Sequence, residues 1–211
     1  MERGFSQQDF NVFSIEGLDE RMEGIRSLIQ PKFHAIGEKI VPYLSQQLGQ
    51  EMYLHVAKHA RRSVNPPKDT WMAVSPNKRG YKKLPHFQVG LWGDNLFIWL
   101  AYIYELPNKT DIAKTFIENV DHVVSHFPKD GWISTDHMKN EAKKISEMND
   151  ADVLHAFERF QNIKKAELLI GKRFNANAPI VSNPDVLIQE IKDTYDSLIP
   201  LFRESLFLQE K

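Results

Sequence analysis

Three histidines and two basic loops concentrate most of the chemistry this chain offers in one stretch. His55 and His59 sit at alternate positions of a run that starts at Met52, and His86 opens a second such run. In extended chain, alternation sends His55 and His59 to one polar face, and His86 with Gln88 to another. Clustered imidazoles could supply general acid–base groups or metal ligands. No carboxylate accompanies them locally, so no metal is expected, and catalysis would need a distant acid such as Asp69 or Asp136 to fold in. The plainer alternative is a set of histidines hydrogen-bonded beneath a covering element.

The loops carry the stronger signal. Arg61-Arg62 leads into Asn65-Pro66-Pro67, and Lys78-Arg79-Gly80-Tyr81-Lys82-Lys83 bridges the next two strands. Arginine presents a donor fork suited to phosphate, and Trp71, Tyr81 and Trp92 could stack on a base or sugar. Solvated loop tips are the bland reading, and lysine runs usually mean that. The candidate ligand-binding set is therefore Arg61, Arg62, Arg79, Lys82 and Lys83 for charge. Trp71 and Tyr81 would stack, and His55, His59 and His86 would hydrogen-bond, across basic loops 58–68 and 78–86.

Other candidates are weaker. His122 and His126 are four apart on a helix, a spacing that can hold a metal, but no third ligand is evident. The sequence contains no Gly-x-Ser-x-Gly elbow, phosphate-binding loop, dinucleotide fingerprint or His-Glu-x-x-His motif, and no cofactor is expected. Phe97 and Trp99 read as core rather than as a cofactor box.

The elements that must position these residues follow from periodicity. Tyr53 to Tyr104 reads as four strands, with Gly93-Asp94-Asn95 as the turn of a tight hairpin and an apolar central strand from Leu96 to Ile103. Phe10 to Ile15 alternates weakly and suggests an additional first strand. Leu18, Met22, Ile25 and Leu28 predict an amphipathic helix that Pro31 stops, with a second helix opening there. Pro42 predicts a kink or break inside that second helix. Helices are expected from Asn108, from Asn149 to Ile163 and from Asn183-Pro184, where Pro200 should bend or end the last one. Gly131 to Thr135 and Glu167 to Phe174 read as strands, while the polar, lysine-rich residues 136–148 read as a loop able to cover the polar face. Helices and strands without strict alternation point to α+β: one domain over residues 1–211, with residues 1–8 disordered. The sheet is expected to be mainly antiparallel, centred on residues 51–104, with helices mostly on one face.

Composition bounds the rest. The 211 residues suit one substantial domain, and the net charge of −1 hides a segregation. Between His55 and Gln88 eight basic residues face one acid, a local +7, while the remainder carries −8. The lack of any cysteine excludes disulfides, thiolate nucleophiles and cysteine metal sites, and it suits a reducing cytoplasm. No apolar run reaches the roughly 20 residues of a membrane helix, and the N-terminus carries no secretory pattern, so no membrane partner is expected.

At Lys58-His59-Ala60-Arg61-Arg62, Asn65-Pro66-Pro67, Asp69-Thr70-Trp71, Arg79-Gly80-Tyr81 and Pro85-His86-Phe87-Gln88-Val89-Gly90-Leu91 the chain resembles the YktB family. That family is an uncharacterised group of proteins from Bacillus and related low-GC Gram-positive bacteria. The resemblance extends over nearly the whole chain, including Phe13-Ser14-Ile15-Glu16-Gly17-Leu18-Asp19. It implies a compact cytoplasmic α+β domain and carries over no activity, cofactor or catalytic residue. The leading expectation is thus a module that binds an anionic ligand, either nucleic acid or a phosphorylated small molecule. The alternatives are a His-based hydrolase or transferase on the polar sheet face, and a protein-interaction module docking an acidic partner. The oligomeric state is left open.

Overall fold

The computed structural model describes residues 3–208. In chain order the elements are Gln7–Asn11 (α1), Leu18–Gly24 (α2), Gln30–Leu48 (α3), Tyr53–Val56 (β1), Asp69–Ser75 (β2), His86–Trp92 (β3) and Asn95–Tyr102 (β4). Lys109–Glu118 (α4), Val120–Ser125 (α5), Trp132–Ser134 (β5), Lys143–Lys144 (β6), Asp150–Asn162 (α6), Leu168–Asn175 (β7), Pro179–Ser182 (α7) and Pro184–Phe207 (α8) complete it. One seven-stranded sheet runs β1-β2-β3-β4-β7-β5-β6, with every neighbouring pair antiparallel. The α+β class and the antiparallel sheet agree with the sequence reading.

The helices cover one face of this sheet. Phe87 of β3 stacks on Phe202 of α8 at 4.7 Å, and Tyr102 of β4 meets Phe116 of α4 edge-on at 5.6 Å. All four rings are fully buried, and each of the three phenylalanines contributes roughly 1.5–3 kcal/mol. β4 is buried at all eight positions because β3 and β7 flank it and both of its faces are covered. Asn149 accepts the amide of Asp152 and Asn183 that of Val186, so both expected caps form.

Three local readings need correction. Residues 10–15 are not a strand: Ser6 and Asp9 form a capping box that starts α1, and Val12–Ser14 continue as a 3-10 turn. Pro31 does not separate two helices, because α2 runs into α3 through a π turn at Ile25–Ile29. There the Gln30 amide bonds the Ile25 carbonyl five residues back, a widened turn that takes up the donor missing at Pro31. α3 continues through Pro42 and α8 through Pro200, so neither proline breaks its helix. Of the segment 1–8 expected to be disordered, Met1 and Glu2 lie outside the described residues, while Phe5 is buried against Phe33.

Candidate functional site

Strand alternation delivers the chemistry-bearing residues to the face that the helices leave uncovered. His55, Ala73, Gln88, Trp99, Gly171 and Trp132 form one cross-strand row, and Trp71, Gly90, Phe97 and Arg173 the next. All four tryptophans of the chain pack on this face. Two glycines let the rings lie flat on the sheet. A Cβ at Gly90 would come within 2.2 Å of the Phe97 ring, and one at Gly171 within 1.9 Å of the Ile98 carbonyl oxygen.

Two connections fold back over this platform. The turn Tyr81–Lys83 brings the Tyr81 hydroxyl to the Trp71 indole N–H (3.0 Å) and Lys82 over the Trp71 ring. Residues 136–142, between β5 and β6, cover the other side. Between them lies a narrow cleft, open to solvent, with room of about 20 Å³, walled by Trp71, Trp92, Phe97 and Trp99. Asp69, His137, Lys139, Glu141 and Arg173 are its charged or ionisable lining. Phe97 and Trp99 are buried as expected, yet they also form a cleft wall.

The polar centre of the cleft is a pair that the sequence reading did not find. His137 donates from Nδ1 to both oxygens of Glu167 (2.7 and 2.9 Å), and its backbone amide bonds the same carboxylate at 2.7 Å. Glu167 is 2% exposed and also accepts the Tyr104 amide. This fixes the tautomer and ring orientation, and Nε2 has no protein partner among the described residues. Asp69, 5% exposed, lies within electrostatic reach of His137, Arg62 and Lys82. Burial nevertheless outweighs their pull and pushes its carboxyl up to about 6. A carboxyl that titrates near neutrality beside an oriented imidazole can give and take protons at physiological pH.

The three sequence-nominated histidines each have hydrogen-bond partners. His86 donates from Nδ1 to the Leu84 carbonyl and accepts the Gln88 amide at Nε2, both at 2.8 Å. Burial, with His137 and Lys82 nearby, pushes it down to about 3. His59, in a left-handed backbone conformation (φ 48°), bonds the Thr70 hydroxyl, and burial with Arg62 and Lys82 pushes it down to about 4. His55 meets the Asn77 carbonyl and the Tyr81 ring, and burial lowers it too. These are neutral, partnered imidazoles.

The basic residues are brought together only in part. The loops 58–68 and 78–86 leave opposite ends of β2, as the pairing of Tyr53 with Ser75 and of Asp69 with Trp92 requires. Arg62 and Lys82 are brought towards Asp69, whereas Arg61 and Arg79 stand exposed in their loops and Lys83 is the last residue of the folded-back turn. His137 and Glu167 were missed because they lie in stretches that read as loop and strand start. The one available signal was the isolated charge of Glu167 ahead of the apolar run Leu168-Leu169-Ile170.

Asp136, His137 and Glu167 place donor atoms within 4.8 Å of one another, a set that could hold a divalent cation. In this arrangement Nδ1 of His137 is already committed to Glu167, and Asp136 accepts the Met138 amide. The geometry is therefore that of a carboxylate–imidazole pair. His122 bonds Glu204, away from the cleft.

Fold and cleft together define an α+β protein built on one antiparallel sheet, with one helix-covered face and one aromatic, cleft-bearing face. The chain belongs to the family described as domain of unknown function (DUF1054), whose family model matches residues 5–202. It is 53% identical to a UPF0637 protein of Shouchella clausii, over 96% of this chain and 95% of the relative. A UPF0637 protein of Oceanobacillus iheyensis is 51% identical over 95% of each chain, and one of Bacillus licheniformis 44% identical over 94% of each. These relatives come from Bacillus and related low-GC bacteria, in agreement with the resemblance read in the sequence. Among the described residues no helix is long and apolar enough to cross a membrane.

Proposed function

We propose that this protein catalyses a proton-transfer reaction, of the hydrolase or transferase type, on a small anionic molecule that docks at the mouth of the aromatic cleft. The observation that carries this reading is the His137–Glu167 pair, buried at one end of a cleft that also holds Asp69. His137, with Nδ1 held by the carboxylate, serves as base through Nε2, and Asp69 serves as the acid below about pH 6. Lys82 and Arg62 add positive charge at the rim. A cytoplasmic setting goes with this reading, supported by the absence of cysteine.

A nucleic-acid surface is less favoured because the two basic loops diverge from β2 and leave no continuous basic track for a phosphate backbone. The test is a panel of chromogenic carboxylic and phosphoric esters assayed from about pH 5 to about pH 8, with wild type and His137→Gln. Turnover by the wild type and a loss of ~100-fold or more in kcat/KM for the variant is the expected result. Turnover that survives His137→Gln removes the base assignment. Tight, salt-sensitive binding of short RNA or DNA, flattened by an Arg61→Ala/Arg62→Ala/Arg79→Ala triple variant, would replace this reading with the nucleic-acid one.

A further inference from the structure

The segment that covers the open face is unlike the surface beneath it. Residues 136–142 run between β5 and β6 across the aromatic floor, and Lys139, Asn140, Glu141 and Ala142 form the outer wall of the cleft. The floor is apolar: Trp92, Phe97, Trp99 and Leu169 line it, each less than a tenth exposed. Of the covering residues only Ala142 packs into this cluster, while Met138 is left 58% exposed. A polar cover gains little from lying on aromatic rings, so apolar burial does not hold it down.

A few side-chain bonds hold it instead. At one end His137 is fixed to Glu167 through its ring and its amide. At the other end β6 pairs with β5, and the Ser134 hydroxyl donates to the Glu141 carbonyl at 2.8 Å. Between these ends, among the described residues, no backbone–backbone bond ties 136–141 to a strand; the Lys139 amide bonds only the Asp136 carbonyl.

The tip is tied by one side chain. Asn140 donates to Asp94 at 2.8 Å, and its oxygen accepts from Asn95 at 2.9 Å and from Arg173 at 2.6 Å. Arg173 is set for this contact by the Asn95 oxygen at 3.2 Å and by the Trp132 ring, with the Asp94 charge nearby. Its guanidinium is thus committed to the cover.

The room under the cover, about 20 Å³, suits about one water molecule. Anything larger reaches the floor only if a wall moves. The sheet side is rigid, because β3, β4 and β7 are interior strands and Gly90 and Gly171 already hold them in close approach. The wall free to move is the exposed one, with no backbone tie to the sheet and a single latch.

We propose that residues 138–141 form a lid over the aromatic floor, latched by Asn140 onto Asp94, Asn95 and Arg173. The latched form predominates. Release of Asn140 opens the floor as a minor population, while Glu167 keeps His137 in place as the fixed end. The lid goes beyond the proton-transfer reading, since it governs access to the face on which His137 stands. Its test involves no turnover, so its failure would leave the base assignment as it was.

All four tryptophans pack on this face, with Trp92 and Trp99 on the covered floor, so acrylamide quenching of intrinsic fluorescence reads the opening. Wild type is compared with Asn140→Ala, which removes the latch, and with Met138→Ala, which alters an exposed lid residue outside it. The expected result is a ~1.5-fold or greater rise in the quenching constant of Asn140→Ala, with Met138→Ala like wild type and native circular dichroism in both variants.

In wild type alone, nuclear magnetic relaxation dispersion on the microsecond-to-millisecond scale is expected at the amides of 138–141 and absent at His137. This arm decides by itself should Asn140→Ala lose its native circular dichroism. Equal quenching of wild type and a natively folded Asn140→Ala, flat dispersion across 138–141, or dispersion at His137 as large as at Asn140 would each overturn the proposal.

Discussion

At Asp69 and His86 burial acts on opposite kinds of group, and the two give opposite pH dependences. Asp69 holds its proton up to about 6 in the fold, against 3.8 when free, so the native state binds the extra proton between those values. Stability contributed by Asp69 is therefore present at low pH and falls as pH rises through that window. His86 stays neutral down to about 3 while the unfolded chain protonates near 6.5, so its contribution is present above 6.5 and is lost as pH falls. Urea unfolding of Asp69→Asn is expected to show a gain on the order of 2 kcal/mol at about pH 7.5 and almost none at about pH 3.5. An asparagine variant that is less stable than wild type near neutrality would mean that His137, Arg62 and Lys82 hold the charged carboxylate better than burial penalises it. His86→Gln is expected to flatten the acid limb of the same profile, since it removes the imidazole that the unfolded state protonates.

Among the elements, the β4–β7 pair carries the cleft, because it sets Trp99 against Gly171 and Phe97 against Arg173. Gly171 leaves no room for a side chain, as a Cβ there meets the Ile98 carbonyl at 1.9 Å, a backbone atom that cannot swing aside. Gly171→Ala is expected to cost about 3 kcal/mol or more in thermal or urea unfolding. Gly90→Ala meets the Phe97 ring at 2.2 Å and the Thr70 carbonyl oxygen at 2.7 Å, so a loss of about 2 kcal/mol or more is expected there too, together with a changed tryptophan spectrum. Equal tolerance of alanine at both positions would contradict the close strand approach. The helix ends are simpler: Asn149→Ala removes the cap of α6 and should cost about 1 kcal/mol.

Over the whole molecule the sheet divides two differently built halves. The helix face holds the large core, and the open face holds the tryptophans and the cleft. Both rest on the same strands, so they should unfold together. Far-ultraviolet circular dichroism, which follows the helices, and tryptophan fluorescence, which follows the open face, are expected to give coincident urea transitions. A fluorescence transition at clearly lower urea would show that the cleft face, with residues 136–142 and the Tyr81–Lys83 turn, opens as a separate unit. The +7 segment spreads at this scale: its loops leave β2 at opposite ends, and the second folds back so that Lys82 joins Arg62 near Asp69.

Period-two and helical spacing made the α+β class, the four strands from Tyr53, the Gly93-Asp94 hairpin, and the caps at Asn149 and Asn183 legible in the residues alone, because each depends on neighbours close in sequence. The strand at 10–15 and the break at Pro31 were misread for the same reason. A capping box and a π turn are local alternatives that weak alternation and a lone proline do not distinguish. The site depended on contacts between residues far apart in the chain. His137 and Glu167 are 30 positions apart and meet only because β7 inserts beside β4 and carries β5 with it. Arg173 joins Phe97 and Trp71 through strand register, which no single stretch encodes. The histidines that sequence pattern singled out became neutral partners of carbonyls and hydroxyls, because burial favours the uncharged imidazole. The imidazole that sequence pattern did not single out, His137, is the one to which tertiary packing brought a buried carboxylate.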